Sequence, residues 1–288
     1  MKKSLLLVIV SLLTISSASH ALTGKEVEEQ LNFQINNIVT ECDDGAPAWM
    51  CSGVIIRVSE GHSPTWEPSE VSQIENQSVA ASLIRSDIPS MYDALWPVAQ
   101  YGTIYASNVS PSESGVSVSL LCAYPLDGFS AGSSSRGCGV YLSKLINDYS
   151  SCEAAGVYNS TDWLVKYGDN GYGYGCSFSS IQTDYFIESI RTQIEVINQG
   201  ETEFWNEMVV DTENMNFLDV YSLPIKALFF KESGLWGAQT DQVIYLSETG
   251  KCIPIVELIK NSDGSNAAEP FVYDAENQIS ECQILLGV

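Results

Sequence analysis

The sequence is poor in basic residues. Lysine and arginine together number 13 of 288 residues, against 36 aspartates and glutamates, and the formal net charge is −23 at pH 7. An acidic surface of this kind repels nucleic-acid phosphates and anionic lipid headgroups. We therefore expect neither nucleic acids nor membrane surfaces as partners, and no pattern in the sequence indicates an oligomer, so we expect a monomer.

Histidine is scarcer still, with only His20 and His62 in the chain. A zinc site built from several histidines is excluded, and a Ser-His-Asp or Cys-His catalytic group would have to use His62. That residue lies in Gly61-His62-Ser63-Pro64, a turn-like setting that does not favour such a role. The chain also lacks a Gly-x-Gly-x-x-Gly sequence after a predicted strand and a Walker-type phosphate-binding motif.

A long uncharged apolar run is present only at the amino terminus. Lys2 and Lys3 precede an apolar stretch over residues 5–15, and Ser19-His20-Ala21 supplies the small residues that a signal peptidase needs. We predict that residues 1–21 are a cleaved signal peptide and that residues 22–288 are secreted without a transmembrane helix. Cleavage removes two lysines and no acid, so the net charge changes from −23 to −25.

The chain has eight cysteines but no Cys-x-x-Cys spacing, which argues against metal binding by cysteine. An even number of cysteines in an exported chain indicates disulfides. Eight cysteines allow about 105 connectivities. We predict sequential pairing, which joins 42 with 51, 122 with 138, 152 with 176 and 252 with 282.

Hydrophobic periodicity predicts one α+β domain over residues 22–288, with short mixed or antiparallel strands rather than a doubly wound parallel sheet. No internal repeat and no low-complexity linker divides it. Helices are predicted at residues 23–39, from residue 161, and at 181–197. Strands are predicted at 50–58, 78–85, 102–106, 116–124, 205–210, 225–230, 243–246 and 253–258.

Several polar residues stand in or beside these apolar strands. Arg57 ends one strand, where a guanidinium can bind phosphate or carboxylate, although a solvated arginine explains the pattern equally well. Ser82 can orient a catalytic side chain, and Arg85 either supports an anion site or pairs with Asp87. In an extended segment Glu207 shares a face with Trp205 and Val209, which suits a cleft better than an open surface.

The segments that carry these residues resemble the halovibrin family. The matching pieces, in order, are Cys51-Ser52-Gly53-Val54-Ile55-Ile56-Arg57, Trp66-Glu67-Pro68-Ser69, Ser82-Leu83-Ile84-Arg85-Ser86-Asp87, Trp205-Asn206-Glu207-Met208-Val209-Val210 and Leu223-Pro224-Ile225. Family members are secreted bacterial NAD glycohydrolases related to ADP-ribosyltransferase toxins. The resemblance thus implies an ADP-ribosyltransferase-like core, with NAD as substrate rather than as cofactor.

The resemblance also implies site residues. The arginine–serine–glutamate order of ADP-ribosyltransferase-like enzymes maps onto Arg57, Ser82 and Glu207. In this mapping Arg57 binds the pyrophosphate or its ribose, Ser82 positions Glu207, and the Glu207 carboxylate binds the nicotinamide ribose as positive charge develops. Trp205 would stack on nicotinamide.

The sequence departs from the family pattern in three respects. The interval from Arg57 to Ser82 is short for that superfamily. Ala80-Ala81 precedes Ser82 where related toxins often carry a further serine, and Trp205 stands where transferases acting on arginine tend to have a second acid. The tryptophan at position 205 favours hydrolysis of NAD over transfer if Glu207 is catalytic. If Glu203 is catalytic instead, Glu201 is the second acid, and transfer of ADP-ribose to a host protein acceptor becomes the prediction.

Two interpretations from other classes stay open. The first is a non-enzymatic secreted protein whose acidic surface binds a basic partner. The second is a glycosidase with two carboxylates, because 36 acidic residues always include a suitably spaced pair.

Overall fold

The computed structural model describes residues 22–58, 62–89, 92, 95, 100–127, 136–142, 145–147, 151–168, 175–199, 205–262 and 265–286. The predicted signal peptide and the acidic pair Glu201 and Glu203 lie outside these residues.

A nine-stranded sheet forms the centre of the described fold, in the order β12-β11-β10-β3-β1-β2-β9-β4-β8. Only the β10–β11 pair is parallel, so the prediction of a mixed α and β fold with mainly antiparallel strands is confirmed. A second sheet has the order β6-β5-β7. The strands are β1 Val54–Val58, β2 Ser78–Ile84, β3 Tyr101–Tyr105, β4 Leu120–Tyr124, β5 Val140–Leu142, β6 Leu145–Asn147, β7 Gly175–Cys176, β8 Phe178–Ser179, β9 Glu207–Asp211, β10 Ile225–Phe230, β11 Ile255–Leu258 and β12 Phe271–Tyr273.

The α-helices of the described residues cover both faces of the large sheet. Valine, leucine and isoleucine side chains of α1 pack with Ile56 and Ile104 on one face, which we call the α1 face. On the opposite face, α4 packs with Ile55 and Met208 and α5 with Leu228; we call it the α4/α5 face. The helices are α1 Gly24–Asn36, α2 Val71–Asn76, α3 Ser160–Tyr167, α4 Thr183–Asn198, α5 Leu235–Thr249 and α6 Ser280–Leu285.

A capping box explains why α1 begins where the sequence predicts. The Thr23 hydroxyl accepts a hydrogen bond from the Glu26 backbone N–H at 3.3 Å, and the Glu26 carboxylate accepts one from the Thr23 N–H at 2.8 Å. Such caps stabilise a helix by about 1 kcal/mol. The helix ends at Asn36, three residues before the predicted end at Val39.

One predicted strand, over residues 243–246, is wrong, because those residues belong to α5. Their β-branched and aromatic composition resembles a strand, but the buried side of α5 is carried by small and polar residues as well as Tyr245. Gly237 allows the close contact, since a Cβ there would lie 2.3 Å from the Tyr101 ring. The helix then connects the two parallel strands β10 and β11.

The sequential disulfide prediction is confirmed for all eight cysteines, as Cys42–Cys51, Cys122–Cys138, Cys152–Cys176 and Cys252–Cys282. No cysteine is left as a free thiol that could act as a nucleophile. Within the ranges given above, no helix combines the length and apolar character that crossing a bilayer requires.

Candidate functional site

Strand register brings Ser82 and Glu207 together on the α1 face. The antiparallel pairing of β2 with β9 places Ala81 opposite Met208, and one further step places Ser82 opposite Glu207. Residues directly opposite each other in such a pair extend to the same side of the sheet. Ser82 also pairs with Ile56, whose side chain packs on the α1 face, and this fixes the side for both residues.

Asn206 holds the end of this strand pair. Its side-chain amide replaces the next backbone pair, accepting from the Leu83 N–H at 2.7 Å and donating to the Leu83 carbonyl at 2.8 Å. The Ser82 hydroxyl donates to the Asn206 carbonyl at 3.1 Å. Because Asn206 immediately precedes Glu207, these bonds fix the backbone that carries the glutamate.

The other neighbour of Glu207 is Tyr124, a residue that the sequence analysis did not single out. Tyr124 on β4 is directly paired with Glu207. Its hydroxyl donates to the Gly137 carbonyl at 3.1 Å, and the Cys122–Cys138 disulfide ties the same segment to β4. The carboxylate position is therefore flanked by a serine and a tyrosine from two neighbouring strands, an arrangement that only strand pairing reveals.

Trp205 lies just before β9, which begins at Glu207 rather than at the predicted residue 205. The Trp205 side chain is partly exposed, whereas Ser82 and Glu207 are each only 4% exposed. The aromatic side chain of Trp205 thus stands two residues before a buried carboxylate, at the more exposed end of the segment.

Arg57 lies on the opposite side of the sheet. It is paired with Thr103 on the α4/α5 face, one residue after Ile56, so strand alternation directs its side chain away from Ser82. The guanidinium is buried and donates to four neutral oxygens. These are the carbonyls of Thr65 at 2.8 Å, Ala80 at 3.0 Å and Glu67 at 3.0 Å, and the side-chain oxygen of Gln73 at 3.2 Å.

These contacts describe a structural role for Arg57. Burial lowers the pKa of its guanidinium, because the charged form loses hydration that neutral acceptors replace only in part. The arginine joins β1, β2 and the segment from Thr65 to Gln73 into one unit. The geometry therefore does not support the expectation that Arg57 binds the pyrophosphate or ribose of a substrate beside Glu207.

Arg85 is also bound within the protein. Its guanidinium forms a two-point ion pair with Asp87, with N–O distances of 2.6 and 2.7 Å, and contacts the Val39 carbonyl at 3.3 Å and the Ser52 hydroxyl at 3.4 Å. The sequence left two roles open for Arg85, an anion site and an ion pair with Asp87, and the structure shows the ion pair. Because the Arg85 guanidinium is paired with Asp87, it does not form the predicted anion site beside Ser82.

His62 lies near a buried carboxylate that the sequence did not indicate. Asp241 on α5 accepts hydrogen bonds from the Ser63 hydroxyl, and from the Thr65 hydroxyl at 2.7 Å and the Thr65 N–H at 3.1 Å. Burial raises the pKa of the Asp241 carboxyl. Since Ser63 donates directly to Asp241 without an intervening imidazole, this group does not have the order of a catalytic triad.

Glu203, the alternative catalytic residue, lies outside the described residues. Metal chemistry has no support in the described part of the chain, where no group of three or more histidine, cysteine, aspartate or glutamate side chains could hold an ion.

Comparison with models of known protein families and with curated protein sequences found no match to this chain. The resemblance to the halovibrin family therefore stays a prediction, carried by the segments quoted above.

Proposed function

We propose that the protein is a secreted NAD glycohydrolase, with an ADP-ribosyltransferase-like core and Glu207 as its catalytic carboxylate. The observation that carries the proposal is the register of β2 with β9, which, continued by one step beyond Ala81 and Met208, brings Ser82 and Glu207 together on one face of the sheet. These two residues are the serine and the glutamate of the motif that the family resemblance implies. They are 125 positions apart in the sequence, so their pairing supports the motif independently of the resemblance.

In the proposed reaction the bond between nicotinamide and ribose breaks, and water attacks the anomeric carbon to give ADP-ribose and nicotinamide. The transition state resembles an oxocarbenium ion, so a fixed carboxylate stabilises the charge as it develops. Glu207 supplies that carboxylate. Ser82 acts through the Asn206 carbonyl as a positioning residue, and Trp205 stacks on the nicotinamide ring.

The proposal does not use Arg57 or Arg85, because both guanidinium groups are bound within the protein. Substrate binding in this account depends on the aromatic ring of Trp205 and on hydrogen bonds near Glu207. Secretion is part of the proposal: the predicted signal peptide and four disulfides suit a chain that folds in an oxidising compartment.

The test is to incubate the oxidised mature protein with NAD and to follow release of nicotinamide and ADP-ribose for the wild type and Glu207→Gln. The substitution keeps the side-chain shape and removes the charge, so turnover is expected to fall by about 100-fold to 1000-fold. A thermal melt of each protein checks that both are folded. Wild-type protein that releases no nicotinamide would overturn the proposed activity.

The same assay distinguishes the alternative site. Loss of turnover in Glu203→Gln but not in Glu207→Gln would assign the reaction to Glu203, and labelled ADP-ribose appearing on an added protein would indicate transfer rather than hydrolysis.

A non-enzymatic acidic interaction protein is the second candidate, and one observation favours it. Several of the few cationic side chains are buried, namely Arg57, Arg85, Lys226 and Lys231. Three acidic residues, Glu28, Glu207 and Asp241, are buried as well, so the described surface keeps the strongly acidic balance of the sequence. Salt-sensitive binding to a cationic protein without any NAD turnover would support this candidate.

A further inference from the structure

A cavity of 320 Å³ lies at the β8 edge of the sheet. Its position is fixed by covalent and backbone links, because the Cys122–Cys138 disulfide forms part of its wall and Cys122 pairs with Ser179 across β4 and β8. Its volume is within the range of sites for small molecules. The lining residues are Leu121, Cys122, Cys138, Ser151, Glu153, Ser179, Gln182 and Tyr185.

Glu153 is the charged residue of this lining, and its carboxylate has few partners. Oε1 accepts one long hydrogen bond, from the Ser179 backbone N–H at 3.4 Å. Oε2 is buried and has no hydrogen-bond partner among the described residues. A carboxylate normally accepts several hydrogen bonds, and a buried oxygen that makes none loses the hydration it had in the unfolded chain.

Two nearby features hold Glu153 in place. The adjacent Cys152 is joined to Cys176 on β7, and the Cys152 N–H donates to the Ser177 carbonyl at 2.8 Å. These links fix the backbone position of Glu153 at the edge of the cavity. A ligand in the cavity that Glu153 lines can supply the hydrogen bonds that its carboxylate lacks.

The rest of the lining indicates which chemistry would supply them. None of the described lining residues is a lysine or arginine, so none of them neutralises the Glu153 charge. Gln182 and Ser179 offer neutral polar groups, and Tyr185 adds an aromatic ring. A carboxylate without a counterion beside an aromatic ring is complementary to an ammonium or guanidinium group, which forms charge-assisted hydrogen bonds and favourable contacts with ring faces.

We propose that this cavity binds a small organic cation, an alkylammonium or alkylguanidinium compound, through the Glu153 carboxylate. The site is separate from the Ser82–Glu207 pair, because neither residue is among the described lining residues and the cavity lies towards β8, whereas Glu207 lies on β9, on the other side of β4 in the strand order. The proposal does not depend on cleavage of NAD. The acidic charge of the whole chain raises the local concentration of cations and so assists binding.

The first experiment uses wild-type protein alone, with four probes of matched size. Binding of n-butylammonium and n-propylguanidinium is measured by ligand-observed NMR and calorimetry beside the neutral analogues n-butanol and n-propylurea. We expect dissociation constants of about 1 mM or below for at least one cation. Each cation should bind at least about tenfold more tightly than its neutral analogue, since only the cation compensates the buried charge.

The second experiment assigns the site by substitution. Glu153→Gln keeps an acceptor for the Ser179 N–H but removes the charge, and it should weaken cation binding at least about tenfold. Asp184→Asn is the matched control, because it changes the net charge by the same amount. Asp184 is an exposed acid in the first turn of α4 and is not among the described residues that line the cavity. Its substitution should change binding less than twofold.

Three results would overturn the proposal. These are the absence of binding for both cations, equal binding of the neutral analogues, and equal weakening by Glu153→Gln and Asp184→Asn, which would indicate general attraction to an acidic surface. If Glu153→Gln fails to fold, the comparison of cations with neutral analogues on wild-type protein still tests cation binding. These experiments contain no NAD, so a negative result would overturn cation binding without testing the proposed glycohydrolase activity.

Discussion

The two faces of the central strands use their buried polar residues differently. On the α4/α5 face, Arg57 is enclosed by four neutral oxygens of the protein itself. On the α1 face, strand register brings Ser82 and Glu207 together, and the serine hydroxyl donates to the Asn206 carbonyl beside the glutamate. A single residue step along β1, from Ile56 to Arg57, separates the two environments.

The difference shows how strand alternation limits a motif read from sequence. An ordered set of arginine, serine and glutamate says nothing about which side of the sheet each residue occupies, and a shift of one residue reverses the side. Here the serine and the glutamate share a face and the arginine does not. Arg57 therefore contributes to the stability of the fold, whereas chemistry at Glu207 is the proposal, and this division can be tested on each face.

The largest expected change in stability comes from removing Arg57. Arg57→Ala leaves four oxygens without their donor in a buried site, so the free energy of unfolding should fall by about 3–5 kcal/mol. Urea unfolding of the variant and the wild type measures this loss in the free energy of unfolding. Arg191→Ala is the control, since the exposed Arg191 pairs with Glu188 on the surface of α4, and it should cost less than about 1 kcal/mol. Similar losses for both variants would contradict the structural role of Arg57.

A smaller change is expected from Lys226, a buried cation on the α1 side of the sheet. Its ammonium donates to the Gln30 side chain at 2.8 Å and to the Pro111 carbonyl at 3.2 Å, and burial lowers the pKa of this lysine to about 8. The ordinary value is 10.5, so the unfolded chain binds more protons between these two pH values, and stability should rise with pH across that interval.

Lys226→Met removes both the charge and this pH dependence. At pH 7 the buried ammonium costs about 2 kcal/mol once solvent screening is allowed for, and the lost hydrogen bonds offset about half of it. The variant should therefore be about 1 kcal/mol more stable than the wild type at pH 7 and should lose that advantage by pH 10.5. Chemical unfolding of both proteins at several pH values measures this. Parallel curves would show that Lys226 does not titrate in this interval.

The smallest structural change should come from Ser82→Ala, which deletes one hydrogen bond to the Asn206 carbonyl and should cost about 1 kcal/mol. If Ser82 positions Glu207, NAD turnover should fall about tenfold with little change in KM. Ser78→Ala is the matched control, because Ser78 is equally buried on the same face of β2 but lies opposite Asp211. Equal rates for the two variants would remove the positioning role of Ser82.

Much of the fold followed from local patterns. The strand over 225–230, the helix over 181–197 and the four disulfides could be predicted from composition, periodicity, the predicted signal peptide and the even number of cysteines. Helix α5 could not be predicted in this way, because it buries polar groups such as Asp241 and Gln242, whose partners Thr65 and Gln278 are distant in sequence. Tyr124 and Asn206 were missed as parts of the site for the same reason, since strand pairing alone gives them their neighbours.

The most direct test of the central claim compares the two faces in one assay. Nicotinamide release from NAD is measured for wild type, Glu207→Gln and Arg57→Lys, at a temperature where circular dichroism shows all three to be folded. We predict that Glu207→Gln loses at least about 100-fold in turnover and that Arg57→Lys, although less stable, stays within about threefold of the wild type. Full activity in Glu207→Gln, or loss of activity in folded Arg57→Lys, would contradict the assignment of chemistry to the α1 face.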